Sequence, residues 1–204
     1  MRPLPFLAAA LLATSAVAQA PMPIPGTANP AKVAAGNYVV EPYHTQIVFA
    51  VDHMGFSIFR GFLSQASGTL ALDPAKPAAT QLSVTIPIAS IHTTSAKLDE
   101  ELNSADWLDA QRFPTATFVS TKVTPGPNGL AIVDGNLTLH GITKPARMQA
   151  HFRGAGINPL SKGATIGFDG RMSVERSQFG VTKYVPLVSD HVELTIAAAF
   201  EKQS

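Results

Sequence analysis

The fold of this chain is decided by the stretch Asp134-Gly-Asn-Leu-Thr-Leu-His-Gly-Ile-Thr-Lys-Pro-Ala-Arg-Met-Gln-Ala-His-Phe-Arg153. Its second half alternates with a period of two, with Ala146, Met148, Ala150 and Phe152 on one face and Arg147, Gln149, His151 and Arg153 on the other. This alternation is typical of an antiparallel strand with one buried face and one wet face. The first half predicts a second strand. The two are joined at His140-Gly141, because glycine tolerates the positive φ of a tight turn.

The same alternation recurs along the chain from Asn37 onward, and it predicts a sheet that is either closed or sandwiched. The even-numbered positions form the predicted buried face over 82–88, 166–174 and 188–198. Further strands are predicted over 45–52, 64–72, 115–123 and 130–140. Regular strands with short turns indicate a barrel or a sandwich, and about eight long strands are enough to close a barrel.

One segment between the strands has a helical pattern. Ser95 can cap a helix over 95–103, in which Leu98 and Leu102 lie four residues apart on one face. A helical excursion of this kind between two strands predicts a lid over one end of the barrel.

The N-terminus predicts export. Arg2, a short apolar run and an Ala16-Val-Ala18 site make a secretory signal peptide over 1–18, with cleavage after Ala20 as the alternative. Residues 19–36 are rich in Pro and Ala and predict a disordered leader, so the folded domain is predicted over 37–204. We therefore expect a periplasmic protein.

Composition excludes several classes of function. The chain has 204 residues and no cysteine, which rules out thiol chemistry and thiolate metal sites. One of the 15 basic residues lies in the predicted signal peptide, which leaves 14 against 14 acidic ones. Such a neutral chain lacks the basic footprint that nucleic-acid binding requires. The length fits one domain with a sizeable core.

The apolar side of the predicted barrel has two interpretations. In the first, small inward residues such as Ala150, Gly170 and Ala198 leave room for a ligand. The larger inward residues are apolar and would form a smooth wall around it. Alternatively, the side chains meet in the middle and fill a barrel of this size. The pattern alone leaves both possibilities open.

Several stretches of the chain resemble one known protein family. Five stretches match the YceI-like family in order: Glu41-Pro-Tyr-His-Thr-Gln-Ile-Val-Phe-Ala-Val-Asp-His-Met-Gly-Phe-Ser-Ile-Phe-Arg-Gly61, Leu102-Asn-Ser-Ala-Asp-Trp-Leu-Asp-Ala-Gln-Arg-Phe-Pro-Thr-Ala-Thr-Phe118, Gly135-Asn-Leu-Thr-Leu-His-Gly-Ile-Thr-Lys-Pro145, Arg176-Ser-Gln-Phe-Gly180 and Val188-Ser-Asp-His-Val-Glu-Leu194. Gln178 and His191 stand where the family usually has carboxylates. These two departures could alter the preference for a headgroup near the barrel mouth.

The resemblance implies an all-β protein with short helices, an eight-stranded antiparallel lipocalin-like β-barrel with a helical lid. It also implies an apolar tunnel that binds, transports or stores an isoprenoid or similar amphiphilic lipid, of the ubiquinone or polyprenyl phosphate class. No covalent cofactor and no enzymatic activity are expected. The alternatives are a quinone-dependent redox partner of a membrane cytochrome and a stress-response protein without a fixed ligand. Transient membrane contact and a homodimer are further expectations.

The predicted ligand contacts combine inward parity with position near the predicted mouth. They are Phe49, Val51, His53, Phe56, Arg60, Ile86, Trp107, Phe113, Phe118, Met148, Phe152, Phe168, Met172, Arg176, Phe179 and Asp190. For His53 the alternative is a rim histidine satisfied by backbone. For Arg60 it is a pair with Asp106 or Asp109, and for Arg176 a pair with Asp190. No catalytic motif and no histidine spacing suited to a metal is found in the sequence.

Overall fold

The computed structural model describes residues 23–203 of the protein. The predicted signal peptide lies outside the described residues and stays a prediction. No helix within residues 23–203 is both long and apolar enough to cross a bilayer.

The described chain is built almost entirely from strands. They are β1 (Gly36–Val40), β2 (Gln46–His53), β3 (Ser57–Leu63), β4 (Ser67–Leu72), β5 (Gln81–Pro87), β6 (Thr115–Pro125), β7 (Leu130–Leu139), β8 (Ile142–Ile157), β9 (Ala164–Glu175) and β10 (Val188–Lys202). One α-helix, α1, spans Ala96–Asn103. Short 3₁₀ turns lie at Pro30–Lys32, Pro77–Ala79, Ile88–Ser90 and Arg176–Phe179.

Eight strands close the barrel. They pair antiparallel in the order β1-β4-β5-β6-β7-β8-β9-β10, and β1 then pairs with β10. β10 is long enough to take two partners on one edge: Phe200 faces Val40 of β1, and Val192 faces Val51 of β2. The predicted closed antiparallel barrel is confirmed.

The hairpin partner β3 is missing from the sequence prediction. It pairs with β2 from Ile47↔Leu63 to His53↔Ser57. Its other edge has a single described bridge, Phe62↔His92. The strand is hard to see in the sequence because apolar residues occupy both of its faces, which hides the period of two.

The hairpin predicted within Asp134–Arg153 forms. Leu139 faces Ile142, and the two residues between them, His140 and Gly141, have φ of 51° and 73°. Both central residues therefore adopt the left-handed conformation that a tight hairpin turn requires. The ring of Phe113 packs against Gly141 where a Cβ would overlap it, so glycine is needed there for space as well.

The predicted helix also forms. Ser95 Oγ accepts a hydrogen bond from the Leu98 amide and caps α1, so the first turn begins where the sequence indicates. The segment carrying α1 connects β5 to β6 at the end of the barrel where the β2–β3 and β7–β8 turns also lie. We call this end the lid end.

The opposite end is crossed by residues 27–35, which we call the floor segment. Thr27 exchanges two backbone hydrogen bonds with Ala155 of β8, at 3.1 and 2.9 Å. The chain then runs through the Pro30–Lys32 turn to β1. Between β8 and β1 lie β9 and β10 on one side and four strands on the other. The floor segment therefore spans the end of the barrel along a defined path, whereas residues 19–22 of the predicted leader lie outside the described residues.

Candidate ligand-binding cavity

A cavity of about 890 Å³ runs through the barrel. Its lining begins at Pro30 and Val33 of the floor segment and ends at Leu98 and Leu102 of α1. Ligand sites in proteins usually enclose roughly 300–1,000 Å³, so this cavity lies near the upper end of that range. The interpretation in which side chains fill the whole interior does not describe this barrel.

The walls of the cavity follow the strand alternation. With the exception of Asp190, the even-numbered residues predicted to be buried on three strands line it: Leu82, Val84 and Ile86 on β5, Ile166, Phe168, Gly170, Met172 and Val174 on β9, and Val188, Val192, Leu194, Ile196 and Ala198 on β10. Because side chains on a strand point alternately to the two faces, one correct parity places every residue of a strand whose pairing is regular.

Eleven of the predicted contact residues line the cavity. They are Phe49, Val51, His53, Ile86, Trp107, Phe118, Met148, Phe152, Phe168, Met172 and Arg176. Their contact with a ligand stays a prediction, but the structure brings them around one volume.

Two predicted contact residues lie outside the barrel. Phe56 is at the tip of the β2–β3 hairpin and is 86 % exposed. Arg60 lies on β3 between the cavity-lining Phe59 and the buried Gly61, and its side chain points away from the cavity. Neither alternative for Arg60 holds, because Asp106 pairs with Lys183 and Asp109 with Arg112.

Two further predicted residues, Phe113 and Phe179, pack against the β7–β8 turn instead of lining the cavity. The ring of Phe113 meets the His140 ring edge-on at 4.6 Å. Phe179 is buried, and its carbonyl lies 3.0 Å from His140 Nδ1. His140 thus ties the two aromatic residues together beside the wall of the barrel, where they support its fold.

The remaining predicted residue, Asp190, is not a cavity residue either. Its carboxylate accepts hydrogen bonds from the Ser177 amide and hydroxyl, at 2.7 and 2.6 Å. The pairing of β10 with β2 is irregular between Val188 and Val192, and this irregularity interrupts the inward parity assumed for Asp190. The Ser177 hydroxyl is the main reason why the pKa of Asp190 lies below its ordinary value.

The guanidinium of Arg176 is hydrogen-bonded to backbone carbonyls. Its guanidinium donates to the carbonyls of Val181, Lys183, Val188 and Ser189 at 2.8–3.0 Å. Burial is the main cause that lowers the pKa of Arg176, and the charge of Asp190 opposes it. Arg176 therefore fastens the loop between β9 and β10, and its predicted pair with Asp190 is replaced by these carbonyls.

Polar groups collect under the lid. Trp107 Nε1 donates to Glu101 Oε1 at 3.1 Å, and the Arg176 guanidinium lies 5.3 Å from the centre of the indole ring. The Tyr184 ring meets the same indole edge-on at 6.0 Å. Glu101, Trp107, Tyr184 and Arg176 all line the cavity, so its otherwise apolar wall becomes polar at this end.

Sequence reasoning missed several lining residues. Phe59 and Leu63 come from β3, and Leu98, Glu101 and Leu102 come from α1. The spacing of Leu98 and Leu102 indicates one apolar helical face, and the predicted lid agrees with its place in the lining, but these residues were not among the predicted ligand contacts. The odd-numbered residues from Ser57 to Leu63 could have indicated β3, because Ser57, Phe59 and Leu63 face the cavity.

No group of three or more histidine and carboxylate side chains within residues 23–203 is placed to hold a metal ion. Three histidines each pair with one carboxylate: His44 with Glu41, His92 with Asp99 and His191 with Glu175. The carboxylate of Glu41 also accepts hydrogen bonds from the Tyr43 and His44 amides, so this pair lies within the turn before β2.

Comparison with known proteins agrees with this geometry. The YceI-like domain matches residues 38–200. A protein from Shewanella oneidensis named UPF0312 protein is 37 % identical over 169 residues, covering 82 % of this chain and 88 % of its own length.

Solved structures share the fold. The crystal structure of BcnA from Burkholderia cenocepacia has a TM-score of 0.69 at 26 % identity and covers 76 % of this chain and 95 % of its own. A polyisoprenoid-binding domain from Saccharophagus degradans, implicated in plant cell wall breakdown, has a TM-score of 0.64 at 13 % identity. It covers 81 % of this chain and 98 % of its own, and at that identity it shows the fold alone. The family match, the curated relative and the closed barrel agree, and the chain belongs to the YceI-like family.

Proposed function

We propose that this protein binds a single-chain amphiphilic lipid of the isoprenoid type, with the chain in the barrel cavity and a neutral headgroup under the lid. The observation that carries the proposal is the continuous apolar cavity between the floor segment and α1. The polyisoprenoid-binding domain with the same fold supports the choice of ligand class.

The energetics of the cavity suit such a chain. Each CH₂ group moved from water into an apolar site contributes about 0.8 kcal/mol, so a few prenyl units supply on the order of 10 kcal/mol before ordering costs. A flexible chain also adapts to a long, smooth space, whereas a compact polar ligand would leave most of this wall without partners.

A neutral headgroup fits the charges under the lid better than a phosphate. Phosphate sites usually present uncommitted Arg or Lys donors. Here Arg176 is bonded to four carbonyls, and Lys183 lies 2.8 Å from Asp106. Glu101 places a carboxylate in the cavity wall. A quinone ring, which carries carbonyl acceptors and no charge, avoids repulsion from that carboxylate.

The N-terminal signal pattern supports a place for this activity in the periplasm, where an isoprenoid cannot cross the aqueous space unshielded. Storage or carriage of the lipid is therefore the proposed role. The proposal involves no catalytic step.

The test is the identity of the lipid that accompanies the protein. The full chain is expressed with its N-terminal segment, purified from the periplasmic fraction and measured by native mass spectrometry and by organic extraction. We expect one bound amphiphile per chain, with an isoprenoid tail and an uncharged head. A polyprenyl phosphate would contradict the headgroup assignment. Protein without lipid after mild purification and after incubation with ubiquinone would overturn the proposal.

A further inference from the structure

Apolar side chains crowd the solvent side of the lid end. Five of them form what we call the hairpin patch: Met54, Phe56, Ile58, Tyr184 and Leu187. The two segments that carry them are joined directly, because the Met54 amide donates to the Leu187 carbonyl at 2.8 Å. Isolated exposed apolar residues are ordinary, but a cluster of large ones on adjoining loops marks a contact surface.

The hairpin patch is continuous with the cavity. Tyr184 belongs to both, since it lines the cavity and is 53 % exposed. On β3, Ser57 and Phe59 line the cavity while the alternate residue Ile58 faces solvent. An apolar chain that leaves the cavity between this hairpin and α1 therefore meets the hairpin patch next.

Arg60 places a positive charge behind the hairpin patch, where the phosphates of a docked bilayer would lie. Arg60 lies four residues behind Phe56 on the outer face of β3, about 13 Å along an extended strand. Interfacial segments bury their apolar side chains roughly 5–10 Å deep, so Arg60 would lie level with the lipid phosphates when Phe56 is inserted. The carboxylate of Asp52, on the outer face of β2, accepts a hydrogen bond from the Gly55 amide at 2.7 Å within the hairpin turn.

We propose that the hairpin patch docks this protein on the surface of a lipid bilayer, with Phe56 and Leu187 inserted and Arg60 on the phosphates. The proposal rests on the proposed function, because the docked bilayer is the source or the destination of the lipid. A protruding hairpin tip and one loop suit insertion. They are too small for a stable protein interface, which takes about 20–30 residues from each side.

The experiment measures flotation of the full chain with vesicles of phosphatidylcholine, and with vesicles that also contain phosphatidylglycerol. The test variant is Phe56→Ser with Leu187→Ser, both at exposed positions. The matched control is Leu160→Ser, which removes an equally exposed side chain (90 %) from the β8–β9 loop at the floor end. We expect the control to bind as the unchanged protein does. The double variant should lose about tenfold in partitioning for each side chain removed.

Arg60→Gln tests the charge separately. It should weaken binding about fivefold on vesicles with phosphatidylglycerol at low salt, with little change on phosphatidylcholine alone. Failure of the unchanged protein to float, equal loss in the Leu160→Ser control, or full binding by the double variant would overturn docking through this patch. A dimer that the double variant converts to monomer in sedimentation would overturn it too.

The lipid content of the purified variants separates this proposal from the proposed function. If docking fails while isoprenoid still co-purifies with the protein, only the hairpin patch is wrong. If the unchanged protein carries no lipid, the proposed function itself fails.

Discussion

The guanidinium of Arg176 lies over the Trp107 ring, with its Cζ atom 5.3 Å from the ring centre. Its N–H groups donate to two carbonyls of the loop before β10 and to two carbonyls at the start of β10. The cation–π contact and the hydrogen bonds together fix the guanidinium in place. One side chain therefore joins the segment after α1 to the β9–β10 loop and makes the lid a single unit.

Replacing this arginine should unfold the lid end. Arg176→Met leaves four carbonyl partners without a donor, and each buried acceptor left unpaired costs about 1–3 kcal/mol. We expect a loss of at least about 3 kcal/mol in the free energy of unfolding, measured with urea. The control is Arg112→Met, because Arg112 also stacks on an aromatic ring, that of Phe113 at 5.0 Å, but is exposed. That change should cost less than about 1 kcal/mol. Similar losses in the two variants would contradict the role of Arg176.

Stability should fall in acid partly through Asp190. Hydrogen bonds from Ser177 hold the folded-state pKa of Asp190 below its ordinary value, which is about 3.9. The carboxylate therefore stabilises the fold fully above about pH 4, and this contribution is lost as the pH falls through the lower folded-state pKa. Ser177→Ala should shrink the change in unfolding free energy between about pH 6 and pH 3, because it raises the pKa of Asp190. An unchanged pH profile would show that the Ser177 hydroxyl does not control this carboxylate.

Filling the cavity should displace the lipid without unfolding the barrel. Ala150 lines the cavity from β8, whereas its neighbour Gln149 lies on the exposed outer face of the same strand. Ala150→Phe adds a ring inside the cavity and should lower lipid affinity by at least about tenfold. Gln149→Phe adds the same ring outside and should leave affinity unchanged. Equal co-purifying lipid in both variants, by extraction and mass spectrometry, would count against the cavity as the site.

Trp107 should report occupancy of the lid end. It is the single tryptophan of the chain, and it is buried in the cavity lining. A quinone headgroup under the lid would lie beside the indole, so adding ubiquinone to lipid-extracted protein should quench its fluorescence saturably. A soluble benzoquinone without a prenyl chain should quench only in proportion to its concentration, because the chain supplies the affinity. Indistinguishable titrations would place the headgroup away from the lid.

The floor segment should control how long the lipid stays bound. At Gly156 a Cβ would overlap the Pro25 carbonyl oxygen, so Gly156→Ala pushes on the chain that leads into the floor segment. We expect faster hydrogen exchange at the Thr27 and Ala155 amides, and faster lipid loss to acceptor vesicles. Gly163→Ala is the control, because the nearest atom to its Cβ would be Ser161 Oγ at 3.4 Å, an ordinary contact. If lipid loss is unchanged while exchange rises, the floor segment is not an exit.

The walls of this barrel could be predicted from sequence because strand parity is local. Once Met148 is assigned to the inside, the pleat places Ala150 and Phe152 beside it, and no distant contact is needed. Strand parity gave the wrong orientation for Asp190, because the pairing of β10 with β2 is irregular there and the alternation of side chains is interrupted. It also missed β3, where Ile58 and Phe62 are apolar yet exposed, so the pattern lost its contrast.

By itself, the sequence determined antiparallel strands with one apolar face and a capped helix between two of them, since each depends on neighbours within a few residues. Only the tertiary structure decided that the inner face encloses an open cavity, that Arg176 is bound by carbonyls and that Arg60 points outward. It also decided that residues 27–35 cross the opposite end of the barrel. The carbonyls that bind Arg176 lie 5–13 positions away. The floor and the lid end depend on contacts such as Thr27 with Ala155 and Met54 with Leu187, which join residues more than a hundred positions apart. No local pattern specifies such contacts, because the closure of the barrel brings those residues together.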